Sequence, residues 1–185
     1  MHMDSNTRGF VVWFTGLSGA GKTTIARIIE NRLKSSGRNV EVLDGDVVRT
    51  NLSKGLGYSK EDRDTNIRRI GFVAHLLERN GVAVICSAIS PYRDVRNEVR
   101  QMIGPRFIEV FADAPLDVCA TRDGKVEMYR KAFSGELKEF TGVSDPYEPP
   151  TAPEIHLRTD SEAPEASAER VIAYLKSRRL IGESV

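Results

Sequence analysis

Cysteine is scarce in this chain, with two among 185 residues, Cys86 and Cys119. They form neither a disulfide framework nor a zinc-ligand spacing. The expectation is two buried, inert thiols in a reducing cytoplasm, since neither has a basic neighbourhood that would activate it. Long apolar runs are missing too, and none approaches the roughly 20 residues that a bilayer requires. The N-terminus lacks an apolar signal core, so Met1-His2-Met3 reads as an expression remnant and residues 1–8 as a flexible tail. Nor is there an excess of one charge: 27 Lys and Arg stand against 26 Asp and Glu. No global field therefore argues for nucleic acid or a membrane surface, and recognition has to be local. The chain has no repeat and no low-complexity linker, and its length suits one domain over residues 9–185. An Asn-Lys-x-Asp segment is absent as well, which speaks against a guanine-reading switch.

What is present is led by Gly16-Leu17-Ser18-Gly19-Ala20-Gly21-Lys22-Thr23, a phosphate-binding loop that fits the pattern at every fixed position. Apolar, β-prone residues 10–15 precede it, and Thr24 begins a stretch whose apolar positions recur at helical spacing. Strand, tight turn and helix are the context that such a loop needs. Backbone N–H groups at a helix N-terminus hold a polyanion without neutralising it. Lys22 is placed to reach the β and γ phosphates of a nucleoside triphosphate, and Thr23 to ligate Mg²⁺, with Asp44 as a further candidate ligand. The bland alternative is a Gly-rich turn that merely caps a helix.

Short apolar strands alternate with helical segments along the rest of the chain. Strands are expected at 40–44, 81–89, 107–112 and 154–159, and helices at 60–80, 91–103, 114–121 and 166–177. The fold class is α/β, a P-loop NTPase-type three-layer sandwich with a five-stranded parallel sheet flanked by helices. Residues 123–150 break the rhythm. They are charged and punctuated by Gly and Pro, with a short helix at most near 126–133, but Tyr129, Phe133, Phe140 and Tyr147 argue against disorder. A lid that excludes water from a triphosphate is the reading that gives this excursion a purpose.

Ligands of a doubly wound sheet bind beyond the strand ends, where the polar residues gather. Asp44 and Asp46 follow the second strand, each suited to cap a helix, to hold Mg²⁺ through water or to accept a proton from an attacking hydroxyl. Arg49, Arg63, Asn66 and Arg93 suggest a pocket for an anionic second substrate. Equally, Arg63 and Asn66 belong to a helix whose acidic neighbours Glu61, Asp62 and Asp64 would pair with it in solvent. The residues alone leave that choice open.

A resemblance decides it. Phe14 to Thr24, Leu43-Asp44-Gly45-Asp46-Val47-Val48-Arg49, Glu61-Asp62-Arg63 with Asn66-Ile67-Arg68-Arg69, Ile89-Ser90-Pro91-Tyr92-Arg93, Arg122-Asp123 and Lys138-Glu139-Phe140-Thr141-Gly142 together resemble the adenylylsulfate kinase family from about Gly9 to Leu180. The resemblance implies transfer of the γ-phosphoryl group of ATP to the 3′-hydroxyl of adenosine 5′-phosphosulfate, in sulfate assimilation. It makes Asp46 the group that orients or deprotonates the hydroxyl. Arg49, Arg63 and Asn66 would hold the phosphosulfate, Tyr58 and Phe140 would sandwich the adenine, and Ile89, Ser90 and Arg93 would complete the acceptor side. Arg122 falls near the ATP adenine, and Lys138 lies in the lid. Ser90 also matches a position described as phosphoserine, although in-line attack requires no covalent step. A homodimer and an association with ATP sulfurylase are further implications.

The sequence departs from the family in the lid, where Arg122 to Tyr129 is one residue longer than the usual pattern and Phe133 replaces a common arginine. Two other functions remain to be weighed: a different small-molecule kinase of the same fold, and a nucleotide-binding regulatory module without turnover.

Overall fold

The computed structural model describes residues 8–183 and 185. Most of the expected N-terminal tail lies outside them. Arg8 does not: its carbonyl accepts a hydrogen bond from Arg38 Nη2 at 2.5 Å, so this residue is tied to the body.

Five strands form one parallel sheet: β1 Phe10–Thr15, β2 Val40–Asp44, β3 Ala83–Ser87, β4 Phe107–Asp113 and β5 Ile155–Arg158. Their order is β2-β3-β1-β4-β5. β1 is central and buried along its whole length. Parallel neighbours cover both its edges, with Val12 opposite Ile85 on one side and Ile108 on the other. Alternation along β1 divides the core. Phe10, Val12 and Phe14 pack with Ile25, Ile29 and Leu33 of α1 (Lys22–Ser35) and with Val171, Ile172 and Leu175 of α7 (Pro164–Ser177). Val11 and Trp13 face Ile67, Ile70 and Ala74 of α3 (Lys60–Glu78) and Val95, Val99 and Ile103 of α4 (Arg93–Ile103). Each such side chain contributes roughly 1.5–3 kcal/mol by leaving water, so the sheet is fixed from both faces.

Among the described residues, three short α-helices, α2 Gly45–Asn51, α5 Leu116–Thr121 and α6 Val126–Phe133, and a 3-10 turn at Gly104–Arg106 complete the elements. Helix α6 lies where the sequence allowed one short helix in the lid. Element ends move by a residue or two from expectation for local reasons. Tyr92 caps α4 in an extended conformation, so α4 begins at Arg93. Pro164 occupies the first turn of α7, where its missing N–H costs nothing, and starts that helix two residues early. Among the described residues no helix is long and apolar enough to cross a membrane.

Chain connections diverge between β1 and β3: α1 carries the chain from β1 outward to β2, and α4 carries it from β3 across β1 to β4. The crevice beyond the carboxyl ends of β1 and β3 is thus the place where this topology opens a ligand site.

Candidate active site

A cavity of about 1240 Å³ occupies that crevice. It is larger than the range of roughly 300–1,000 Å³ that suits one small ligand, and so has room for two.

The phosphate loop forms one end. Gly16 leaves β1 in a conformation open to glycine, and a Cβ there would lie 2.3 Å from the Ala112 carbonyl. Gly21, at φ 92°, caps α1. Ser18, Gly19, Gly21, Lys22, Thr23 and Thr24 line the cavity, whereas Leu17 and Ala20 turn into a small apolar cluster with Tyr129 and Phe140. The Lys22 ammonium donates to the carbonyls of Gly16 and Leu17 at 2.8 and 2.7 Å, which holds it over the loop. Burial lowers its pKa to about 8, and the nearby carboxylates of Asp44 and Asp46 oppose that shift. Arg122 grips the loop from above: Nη1 donates to Gly19 O at 2.6 Å and Nη2 to Thr159 O.

Hard oxygen ligands converge at the start of α1. Thr23 Oγ1 lies 3.3 Å from Asp44 Oδ2 and 3.3 Å from Ser87 Oγ. Asp44 also caps α2, its Oδ1 accepting from the Asp46 N–H at 3.0 Å. The helix cap therefore falls on Asp44, and the exposed Asp46 carboxylate lines the cavity two residues further on.

The other end is basic and aromatic. Arg49 lies 4.3 Å over the Tyr58 ring and donates to Gly57 O at 2.8 Å. Ser59 caps α3 by accepting from the Asp62 N–H, which rotates Arg63 and Asn66 inward. Both are buried and line the cavity, so the solvated-face alternative does not hold for them. Arg63 donates to Tyr58 O at 2.7 Å and to Glu139 O in the lid, with Asp145 3.7 Å away. Burial lowers its pKa, an effect that Asp145 opposes. The Asn66 side-chain oxygen has no hydrogen-bond partner among the described residues. Ile89, Ser90, Lys138 and Phe140 join the same lining.

Arg93 is placed elsewhere. It is exposed, does not line the cavity, and donates through Nε to Pro149 O at 2.8 Å, so it latches the end of the lid instead of joining the basic pocket. Ser90 is buried at φ 42°; its hydroxyl accepts from Trp13 Nε1 at 3.1 Å and donates to Ala88 O at 3.3 Å. The two cysteines are buried and free, and burial raises both thiols.

The lid is knit to the phosphate loop through Tyr129, whose hydroxyl donates to Ser18 O at 2.8 Å and whose ring meets Phe140 edge-on at 4.9 Å. Phe133 is 58% exposed, its ring is tilted against Tyr129 with centroids 6.0 Å apart, and it does not line the cavity. Sequence reasoning did not single out Lys125 or Thr159, which also line the cavity. Thr159 contacts Arg122 through its backbone carbonyl, which carries no residue-type signal.

A family model described as Adenylylsulphate kinase matches residues 8–158. The adenylyl-sulfate kinase of Rippkaea orientalis is 63% identical over 178 residues, 96% of this chain and 97% of that protein. That of Picosynechococcus is 62% identical over 168 residues, 91% of this chain and 94% of that protein. The solved structure of the Mycobacterium tuberculosis APS kinase CysC in complex with AMPPNP and APS matches with a TM-score of 0.86 at 42% identity, covering 91% of this chain and 98% of that one. Parallel sheet, phosphate loop and lidded two-ended cavity define a P-loop kinase. The chain belongs to the adenylylsulfate kinase family. It is an ATP-dependent phosphotransferase with an alcohol acceptor, transferring the γ-phosphoryl group of ATP to the 3′-hydroxyl of adenylylsulfate in sulfate activation.

Proposed function

We propose that the two ends of the cavity divide the reaction between them, ATP on the phosphate loop and adenylylsulfate against Arg49, Arg63 and Asn66. The observation that carries this division is the placement of Lys22 and Thr23 at one end, the basic and aromatic side chains at the other, and Asp46 between. The Asp46 carboxylate accepts the hydrogen bond of the 3′-hydroxyl, orients its oxygen for in-line attack on the γ-phosphorus and takes the proton as the bond forms. The loop N–H groups and Lys22 stabilise the negative charge that builds on the transferring group and on the leaving ADP oxygen. Arg49 and Arg63 offer planar forks to the phosphosulfate, and Asn66 adds an amide. Tyr58 and Phe140 give the acceptor adenine flat apolar faces.

Among the described residues no three His, Cys, Asp or Glu gather to cage a metal. Mg²⁺ needs no such cage, because it keeps several waters and takes one or two protein oxygens beside the phosphates. Thr23, with Asp44 through water, fits that requirement. Bound there with ATP, Mg²⁺ would neutralise charge on the β and γ phosphates.

We place the enzyme in the cytoplasm as a homodimer, with Phe72 and Met102, exposed on α3 and α4, as candidate contacts. ATP sulfurylase, which makes adenylylsulfate, is the corresponding functional partner. A coupled assay of ADP release with Mg-ATP and adenylylsulfate tests the reading. Asp46→Asn is expected to lower kcat by about 10²–10⁴-fold. Binding of both ligands to the wild-type chain without turnover would favour the regulatory module, and response to another acceptor would favour a different kinase.

A further inference from the structure

Arg96 is one of the largest side chains that the fold buries completely, 1% exposed, and the phosphoryl transfer described above does not use it. It lies early in α4 on the face that packs against the sheet. Its guanidinium spans three parts of the chain: Nε donates to Glu109 Oε1 in β4 at 2.9 Å, Nη1 to the Ser90 carbonyl at 2.6 Å, and Nη2 to the Glu148 carbonyl at 2.7 Å. A buried cation needs a counter-charge, and Glu109 supplies it. The two carbonyls are a separate matter, because each belongs to a segment that borders the acceptor.

Ser90 adopts φ 42°, a left-handed conformation that residues with a Cβ seldom take. Two donors hold it there: Arg96 Nη1 meets its carbonyl and Trp13 Nε1 meets its hydroxyl, while the Thr15 hydroxyl holds the preceding Ile89 carbonyl at 2.8 Å. Its neighbours Ile89 and Pro91 line the acceptor end of the cavity. Glu148 is where the lid returns to the body. Its N–H donates to Pro91 O at 2.9 Å, and its carboxylate accepts from the Arg93 N–H at 2.8 Å.

We propose that Arg96 is a positioning residue for the acceptor: its single guanidinium locks the left-handed turn at Ser90 to the returning arm of the lid. Ile89 and Pro91 on one side and Lys138 and Phe140 on the other then meet adenylylsulfate in one fixed arrangement. The inference rests on the acceptor assignment made above.

Arg96→Met alone would leave the buried Glu109 carboxylate with Arg100 Nη2, 3.0 Å away, in place of two cations, and would destabilise the protein for that reason. The decisive variant joins Arg96→Met to Glu109→Gln, which removes both charges while Arg100 keeps its two bonds to Glu154. Trp13 is the only tryptophan of the chain, so its emission reports the Ser90 turn whatever the acceptor. The expected result is a melting temperature close to wild type, a KM for adenylylsulfate raised about tenfold or more, a KM for ATP within about twofold, and a shifted Trp13 emission maximum. Arg96→Lys neutralises Glu109 but lacks the fork, and is expected to show the same split. A double variant with a wild-type KM for adenylylsulfate and unshifted emission would overturn the proposal. So would a rise of both KM values together with lost stability, which would make Arg96 structural only. Failure of the acceptor assignment looks different: the wild-type enzyme then ignores adenylylsulfate, while the Trp13 emission of the double variant still moves.

Discussion

Ser90 shows how one hydroxyl can match the position of a nucleophile and lack the surroundings of one. A serine attacks phosphorus only when a neighbouring base takes its proton. Here the hydroxyl accepts from the Trp13 indole and donates to the Ala88 carbonyl, and neither group is a base. Ser90→Ala is therefore expected to keep kcat within about threefold of wild type, because direct in-line transfer needs no phosphoserine. It should also lower the melting temperature by about 2–4 °C, since a buried indole N–H loses its acceptor at a cost of about 1 kcal/mol. Steady-state kinetics and a thermal melt check both, and a loss of turnover of about 10³-fold would overturn this expectation. The placement of Lys22, Thr23 and Asp46 on the cavity wall was legible in the sequence because each has a fixed offset from a glycine or a strand end. The position of Arg93 was not, because its hydrogen-bond partner, the carbonyl of Pro149, lies more than fifty residues away.

Helices α3 and α4 pack with unusual closeness at Gly71, where an added Cβ would stand 2.6 Å from Val99 Cγ2. Gly71→Ala gains about 1 kcal/mol of helix propensity. Overpacking costs about 1–3 kcal/mol, so the net effect is expected to be destabilising. Trimming the opposing side chain relieves the clash: in a melting series the Gly71→Ala, Val99→Ala double variant should be more stable than the sum of the two single effects. The lid element α6 gives the opposite case. Its start and length were readable from the charged, Gly-punctuated stretch around it, but not which of its aromatics face inward, because a helix of eight residues has too few turns to define a face. Tyr129 is buried against the phosphate loop and Phe133 is exposed. Phe133→Arg, which restores the residue common in relatives, should leave both Michaelis constants within about twofold, since the side chain is exposed and does not line the cavity. A marked fall in either constant would place position 133 in the path of a substrate.

At the scale of the whole molecule the lid segment touches both ends of the cavity. Its first half meets the phosphate loop through Tyr129 and Arg122. Its second half meets the acceptor end through Glu139 and Asp145 on Arg63, and returns to the body on Arg96. The sheet beneath was largely legible, because five apolar strands at regular spacing leave few parallel arrangements. The coupling was not, because it is made by backbone carbonyls of residues far apart in sequence. Its consequence can be measured without turnover. A ligand present at a hundred times its Kd raises stability by about 2.7 kcal/mol if it binds only the folded state. Two ligands on separate rigid sites would add. Ligands that order one shared lid share the entropic cost of ordering it, so each binds more tightly in the presence of the other. Thermal melts with a non-hydrolysable ATP analogue, with adenylylsulfate and with both should therefore show a combined shift greater than the sum of the two. Reciprocity requires the analogue to tighten adenylylsulfate by the same factor by which adenylylsulfate tightens the analogue, a balance that titration calorimetry reads directly. Strictly additive shifts would mean that the two halves of the cavity act independently and that the lid serves each alone.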